Sequence, residues 1–446
     1  MAASDSPDVV VGGDGVPTTA PAQSAPQQRD ALAEAAQGMN GRASGLLPLT
    51  DDELQRIMTS IERLGGAGGG AGGGDDAAST TTGNVDGNAL RSVLEECAHL
   101  SHKDWTVTSS NAERLGQVLF PNGLFDAGAE AMFQRIVTEG NWNGAADTGK
   151  TRTDKPWAVL VTGVNGIRKT TSIYQDWFPE LLQEALILPT DGDESNTHDA
   201  GDAGAAGGIP AMKDLPHGGN SFFRQLDHII ATVCNKEFEE LYDLTSKQDF
   251  DGTEPGSDVI RKYSDLKAAI FTRYRTLSEL VGICLLRQAQ KLGSNCMVET
   301  SGRDVSMFHY IDRFFPVQDD ESGSGQTGYR KLALHFVIND LSSAQESVDK
   351  RMVDEIKAGI EALNAKDTHM IINANKGGPY GSEVLPGVQS ASDSVWNDQV
   401  LTGAVGQSWY KATISINANK DGKPWTVHAI LPDGTAGTTF EFPLKG

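Results

Sequence analysis

Basic residues are scarce in this chain. Lys plus Arg number 37 against 60 Asp plus Glu, a net charge of −23 over 446 residues. Taken whole, such a chain repels nucleic-acid phosphate and anionic membrane surfaces, so neither is an expected partner, although a local basic pocket stays open to it. The first basic residue is Arg29, after Asp5, Asp8 and Asp14, which speaks against a secretory signal and a basic transit peptide. No run of 18 apolar residues occurs, so no membrane-spanning helix is expected. Cysteine is also sparse. Cys97, Cys234, Cys284 and Cys296 form no C-x-x-C pair, so no zinc or redox motif is visible, and the pattern suits a reducing, cytoplasmic compartment. Hydrophobic residues make up 38%, below the usual globular share.

What the chain has in excess is glycine, 50 residues, much of it in low-complexity tracts. Residues 1–45, rich in Ala, Gly, Pro, Ser and Gln, are predicted to be a disordered tail, because they hold too little apolar surface to offset ordering entropy. Thr50 and Glu53 form a capping-box pattern ahead of Leu54, Ile57, Met58, Ile61 and Leu64, which predicts a helix over 50–64. A glycine-dominated linker, 65–88, follows. Helical stripes over 89–140 complete a helical extension spanning 46–150. His99 and His102 lie three apart with no third ligand in view and read as a surface helix end.

The motif that organises the rest is 157–173, Trp-Ala-Val-Leu-Val-Thr-Gly-Val-Asn-Gly-Ile-Arg-Lys-Thr-Thr-Ser-Ile. Its first six residues are apolar on both faces, the pattern of a buried parallel strand. Gly163 and Gly166 then break the run, and a helix is predicted from Thr170 towards Trp177. Strand, glycine loop, Lys-Thr and helix together are the setting of a phosphate-binding loop. Helix N-terminal N–H groups cradle an anion, and glycines let the backbone curl around it. Gly163, Asn165, Gly166, Ile167, Arg168, Lys169, Thr170 and Thr171 are therefore the candidate nucleotide-binding residues. Lys169 would reach the β- and γ-phosphates, and the Thr170 hydroxyl would meet Mg²⁺. The pattern G-x-x-x-x-G-K-[ST] is broken at one position, where Arg168 replaces glycine. Arg168 either adds a second cation on the phosphates or crowds the loop.

Acids and arginines come next. Residues 184–189 are predicted to be the following strand, ending in Asp191 and Asp193. These are either a base for an acceptor hydroxyl or the start of a disordered insertion, 194–210. A helix after Asn220 and Ser221 carries an apolar stripe from Phe223 to Val233, with Arg224 and Asp227 off it, facing a substrate cleft or solvent. A second helix, 263–292, reads as scaffold. Residues 295–298 form a short strand, and Glu299 at its end sits where an acid could hold Mg²⁺ or position a nucleophile. Arg303 follows in a polar turn, within reach of phosphate or substrate. Another strand, 330–338, leads into a helix over 343–364 that bears Arg351, a candidate phosphate clamp. No arginine follows Arg351. Residues 373–381 form a glycine-rich loop without a Lys-Thr pair and do not count as a second phosphate loop. Alternation over 408–416, 425–431 and 439–444, with Asp421-Gly422 as a hairpin signal, predicts a β-rich appendage over 371–446. Whether it binds a protein partner, caps the nucleotide domain or mediates oligomers is left open.

In this order the motifs resemble P-loop small-molecule kinases. The likeness is greatest to the zeta-toxin-type branch, whose third-strand motif runs acid-Thr-small-Gly-Arg and reads Glu299-Thr300-Ser301-Gly302-Arg303 here. The resemblance covers 157–364. It implies an α/β fold, a parallel sheet sandwiched by helices across a nucleotide-binding domain at 151–370, to which the periodicities above add the helical N-terminal extension and a small C-terminal antiparallel β appendage. It implies ATP and Mg²⁺ as cofactors and transfer of the γ-phosphate to a small hydroxyl-bearing acceptor. Lys169 and Thr170 carry over as nucleotide and Mg²⁺ ligands, Glu299 as the acid near the metal, and Arg351 as the clamp. Two departures stand out: Arg168, and the lack of an acid-x-x-Arg substrate motif after the second strand. Arg168 also suits a different class, a non-catalytic interaction protein on a degenerate nucleotide fold. No N-K-x-D guanine signal occurs.

Overall fold

The computed structural model describes residues 30–41, 47–65, 85–100, 105–123, 132–137, 140–151, 154–186, 188, 208–210, 222–248, 257–316, 328–375, 377–417 and 424–442. Its strands are β1 (Trp157–Thr162), β2 (Cys296–Glu299), β3 (Arg330–Ile338), β4 (Tyr410–Ile416), β5 (Trp425–Ile430) and β6 (Ala436–Phe442). They form one mixed sheet in the order β2-β1-β3-β4-β5-β6. The first four are parallel, and β5 and β6 are antiparallel.

Before β1 come α1 (Ala31–Gly41), α2 (Asp51–Gly65), α3 (Gly87–Cys97), α4 (Trp105–Leu119), α5 (Gln134–Val137) and α6 (Trp142–Thr151). Between β1 and β2 lie α7 (Lys169–Ile173), α8 (Trp177–Ala185), α9 (Phe222–Val233), α10 (Asn235–Ser246) and the long α11 (Asp258–Lys291). Next come α12 (Ser306–Phe314), before β3, and then α13 (Leu341–Ala365), α14 (Thr368–Ala374) and α15 (Leu385–Val395), which cross from β3 to β4.

All six residues of β1 are buried, because helices cover both faces of the sheet. Successive side chains point to opposite faces. Ala158 and Leu160 join a core built with α9, α11 and the N-terminal helices. Trp157, Val159 and Val161 join a second core with Phe178 and Leu182 of α8 and Leu385 and Val388 of α15. The expected α/β class thus stands at the level of a mixed sheet between helical layers. No helix among the described residues is long and apolar enough to cross a membrane.

Four expectations need correction. The predicted tail holds a helix: α1 buries Leu32 and Ala36, and Asp30 caps it by accepting from the Ala33 N–H at 3.2 Å while pairing with Lys262 of α11. One leucine and a small alanine at i, i+4 suffice because α11 lies close against them. The helix predicted to run through 170–177 is broken into α7 and α8. The strand predicted over 184–189 fails, since Glu184 and Ala185 finish α8, whose Phe178, Leu182 and Ala185 share its buried face. A short apolar run at a helix end looks like a buried strand. Residue 187 and residues 189–207 lie outside the described residues. The C-terminal strands are not a separate appendage: β4 pairs in parallel with β3 from Leu332 opposite Tyr410 to Ile338 opposite Ile416, extending the main sheet.

Candidate functional site

At the carboxyl ends of β1 and β2 the chain forms two adjacent turns. Thr300 N–H donates to the Val161 carbonyl at 2.8 Å, and Gly163 N–H donates to the Ser301 carbonyl at 3.2 Å. These bonds stitch the glycine loop, 163–168, to the turn after β2. Gly163 and Gly166 have φ of +126° and +83°, which side chains rarely adopt. A methyl at Gly163 would lie 2.5 Å from the Phe336 carbonyl oxygen of β3, and one at Gly166 2.4 Å from that of Ala344 in α13. The loop therefore nests against β3 and α13. Ile167 anchors it from beneath, buried in the second core, so its side chain is packing. Arg168 is left-handed at φ +60°, ψ +22°, a conformation costing a non-glycine residue about 1–2 kcal/mol.

Lys169, the first residue of α7, is 4% exposed. Its ammonium donates to the carbonyls of Gly163 at 2.8 Å and Val164 at 2.7 Å and sits 3.6 Å from a Glu299 carboxylate oxygen. Parallel pairing puts Glu299 opposite Val161, which brings the acid to the lysine across the sheet. Thr170 and Thr171 belong to α7, and their side chains lie outside the described residues.

A cavity of about 370 Å³ opens beside this pair. Of the residues predicted from sequence, Asn165, Lys169, Glu299, Arg303 and Arg351 line it. The Arg168 side chain is exposed and is not among the lining residues. Asp191 and Asp193 fall outside the described residues, as does the side chain of Arg224, whose backbone is in α9. One turn on, Asp227 does line the cavity.

Sequence reasoning missed Arg275 and Glu279 on α11, Tyr310 on α12, and Gly377 to Tyr380. The signal on α11 was its polar stripe, Thr272, Arg275 and Glu279, at helical spacing on an otherwise buried helix. Arg275 is neutralised by Glu279 at 2.7 Å. Among the described residues no carboxylate pairs with Arg303. Instead its guanidinium lies over the Tyr380 ring at 5.3 Å and donates to the Tyr380 hydroxyl at 3.4 Å.

Two buried polar groups back the site. His335 of β3 is 1% exposed. Its Nδ1 lies 2.8 Å from the Thr162 hydroxyl, its Nε2 3.1 Å from Asp393 of α15, and its ring stacks on Trp396. With a carboxylate facing Nε2, the neutral ring carries its proton there, and the single proton of the Thr162 hydroxyl is shared between Nδ1 and the Leu334 carbonyl at 3.1 Å. Burial pushes this imidazole below its ordinary value. Asp393 opposes that shift, and the Lys169 charge adds to it. Lys267 of α11, 0% exposed, pairs with Glu355 of α13 at 2.6 Å and donates to the Gly377 carbonyl at 2.8 Å. Burial pulls the Lys267 ammonium downward, against the attraction of Glu355. Tyr263 also donates to Glu355.

Comparison with known proteins finds no matching family model, no matching curated protein and no matching solved structure.

Proposed function

We propose that this chain is an ATP-dependent phosphotransferase of P-loop kinase type, acting on a small hydroxyl-bearing acceptor. The observation that carries the reading is the buried Lys169 ammonium, held between two loop carbonyls and Glu299 where β1 and β2 end. A buried cation at a helix start, beside a loop whose glycines admit no Cβ, is what a polyphosphate needs. The Glu299 carboxylate at the cavity suits Mg²⁺. Among the described residues no cluster of three or more His, Cys, Asp or Glu could hold a metal, and Mg²⁺ on a nucleotide takes one or two protein oxygens, phosphates and water. Glu299 and Thr170 would hold it.

When bound, Mg²⁺ and ATP supply the activated phosphoryl group. Lys169 would hold the terminal phosphates against the loop N–H groups. Arg351, entering from α13, would place a second cation on the developing charge, and Arg303 a third at the cavity mouth. Asp227, with Asp191 and Asp193 as the other acids in question, would orient the acceptor hydroxyl and take its proton. Walls of Ile230, Phe271, Met307, Leu385 and Val388 would exclude water and strengthen these charges.

Thermal unfolding of the full chain with Mg²⁺ and ATP tests the reading. A ligand at about 100 times its dissociation constant adds roughly 2.7 kcal/mol. The midpoint should rise by several degrees, and Lys169→Ala should abolish the rise. A shift that survives Lys169→Ala would sink the proposal. Arg168 favours a second reading, a non-catalytic interaction protein, because a side chain in the left-handed conformation stands where this loop type has glycine. That reading expects no nucleotide shift in the wild type and none in Arg168→Gly.

A further inference from the structure

The segment Gly377–Tyr380 lies beyond the stretch that resembles any kinase, yet within four residues it meets four side chains of the cavity. A methyl added at Gly377 would lie 2.8 Å from Cζ of Arg351 and 2.9 Å from its Nη1. One added at Gly378 would lie 3.7 Å from the Asn165 amide nitrogen and 3.8 Å from an Asp227 carboxylate oxygen. The Tyr380 ring carries the Arg303 guanidinium. The segment is fixed from behind by α11, where Lys267 donates to the Gly377 carbonyl at 2.8 Å and the Ser264 hydroxyl to the Pro379 carbonyl at 2.9 Å. A fully buried lysine whose ammonium is divided between a carboxylate and one loop carbonyl is an expensive way to hold a turn. It is understandable if the turn must hold something else in place.

We infer that Gly377 is a positioning residue of the phosphoryl-transfer site: its bare backbone, pinned by Lys267, fixes the direction of the Arg351 guanidinium. The inference rests on the phosphotransferase reading and deepens it. Arg351 enters on α13, a different element from the glycine loop, and its long side chain has several rotamers to choose among. Backbone at Gly377 removes some of that choice, and only a residue without Cβ leaves the guanidinium where it is. The same turn carries Tyr380, so Arg351 and Arg303 are set by one short segment held at two carbonyls, while Asn165 and Asp227 border its middle. Arg351 would act on the terminal phosphate, which ATP has and ADP lacks. Gly377 therefore governs discrimination between the two nucleotides.

Gly377→Ala is a selective probe. Its φ is not in the left-handed region, and the atoms that its methyl would meet are the far end of a flexible side chain, so the fold accommodates it by moving Arg351. Affinities of Mg·ATP and Mg·ADP are measured by calorimetry on the full chain for wild type, Gly377→Ala, Arg351→Ala, the double variant and Lys169→Ala. A hydrogen bond to a charged group supports an expected loss of about tenfold for Mg·ATP in Gly377→Ala, with Mg·ADP unchanged. In the Arg351→Ala background the glycine change should add nothing. Equal losses for both nucleotides, no loss, or a loss that persists without Arg351 would each overturn the inference while leaving the phosphotransferase reading intact. Wild-type affinity for Mg·ATP that is absent, or indifferent to Lys169→Ala, would overturn that reading and this inference with it.

Discussion

His335 shows what single residues contribute here. The ring ties the last residue of β1, Thr162, to Asp393 of α15, and so connects the root of the glycine loop to a cavity wall. Its imidazole is held below the ordinary histidine value by burial and Lys169, with Asp393 opposing. The native state therefore refuses a proton that the unfolded chain accepts near pH 6.5. Stability is full above that pH and falls as pH drops through it, until the native-state value is passed. Urea unfolding of wild type and His335→Gln at pH 7.5 and 5.5 checks this. At pH 7.5 the variant should be less stable by roughly 1–3 kcal/mol, for its lost buried hydrogen bonds. The gap should shrink at pH 5.5, because only the wild type carries the unfavourable titration. A gap independent of pH would mean that the native and unfolded states bind the proton equally, and a gap that widens at pH 5.5 would mean that the native ring is protonated. At this scale Lys169 and Glu299 were legible in the sequence, because a strand end, two glycines and Lys-Thr form a local pattern. Asp227 was legible only as one of two sides, cleft or solvent, and Arg275 and Tyr380 were not, since segments far apart in the chain bring them to the cavity.

Among elements, α11 decides most. Its 34 residues present Arg275 and Glu279 to the cavity, Lys267 to α13 and the Gly377 turn, and Arg273 to Glu53 at the start of α2. Burial works against the Glu53 carboxylate, yet Arg273 and Thr50 hold its pKa down to about 2. Lys267 and Glu355 are 0% and 1% exposed, so removing one charge strands the other. Lys267→Met should cost about 3–5 kcal/mol in urea unfolding. Pairing it with Glu355→Leu should restore most of that, less the bonds of Tyr263 and Gly377. A double variant no better than the single one would show that the pair's value lies in those two bonds. Elements with strong local patterns were read closely from sequence: α2, α13, β1, β2, β3 and β4 fall within a few residues of their predicted spans. Element type failed where the pattern was short or bland. The 184–189 run is consistent with strand or helix end, and α1, Ala-Leu-Ala-Glu-Ala-Ala, looks like tail until α11 is set beside it. No periodicity announced α15, because its exposed positions are small residues and a proline and its buried positions are few.

For the whole molecule, the sheet extends past the stretch that the motifs marked. Alternation located β4, β5 and β6 but cannot say which strand β4 joins, because a parallel partner is set by a crossover and not by neighbouring residues. That partner is β3, and the consequence can be tested by truncation. Ile414, Ile416, Trp425 and Val427 are each at most 4% exposed and share a core with Trp157, Phe178 and Phe336. Each such side chain contributes roughly 1.5–3 kcal/mol on burial, so these four reach about 6–12 kcal/mol, comparable with the net stability of a typical domain. Cutting the chain after Gly403 would remove them and leave β3 with an open edge, its N–H and C=O groups unpaired beside apolar side chains. A chain ending there should lose cooperative thermal unfolding and aggregate, and the cavity should go with it, since β1 and the glycine loop pack on β3. A removable cap would behave otherwise: the truncated chain would stay soluble, unfold in one transition and keep whatever nucleotide response the full chain has.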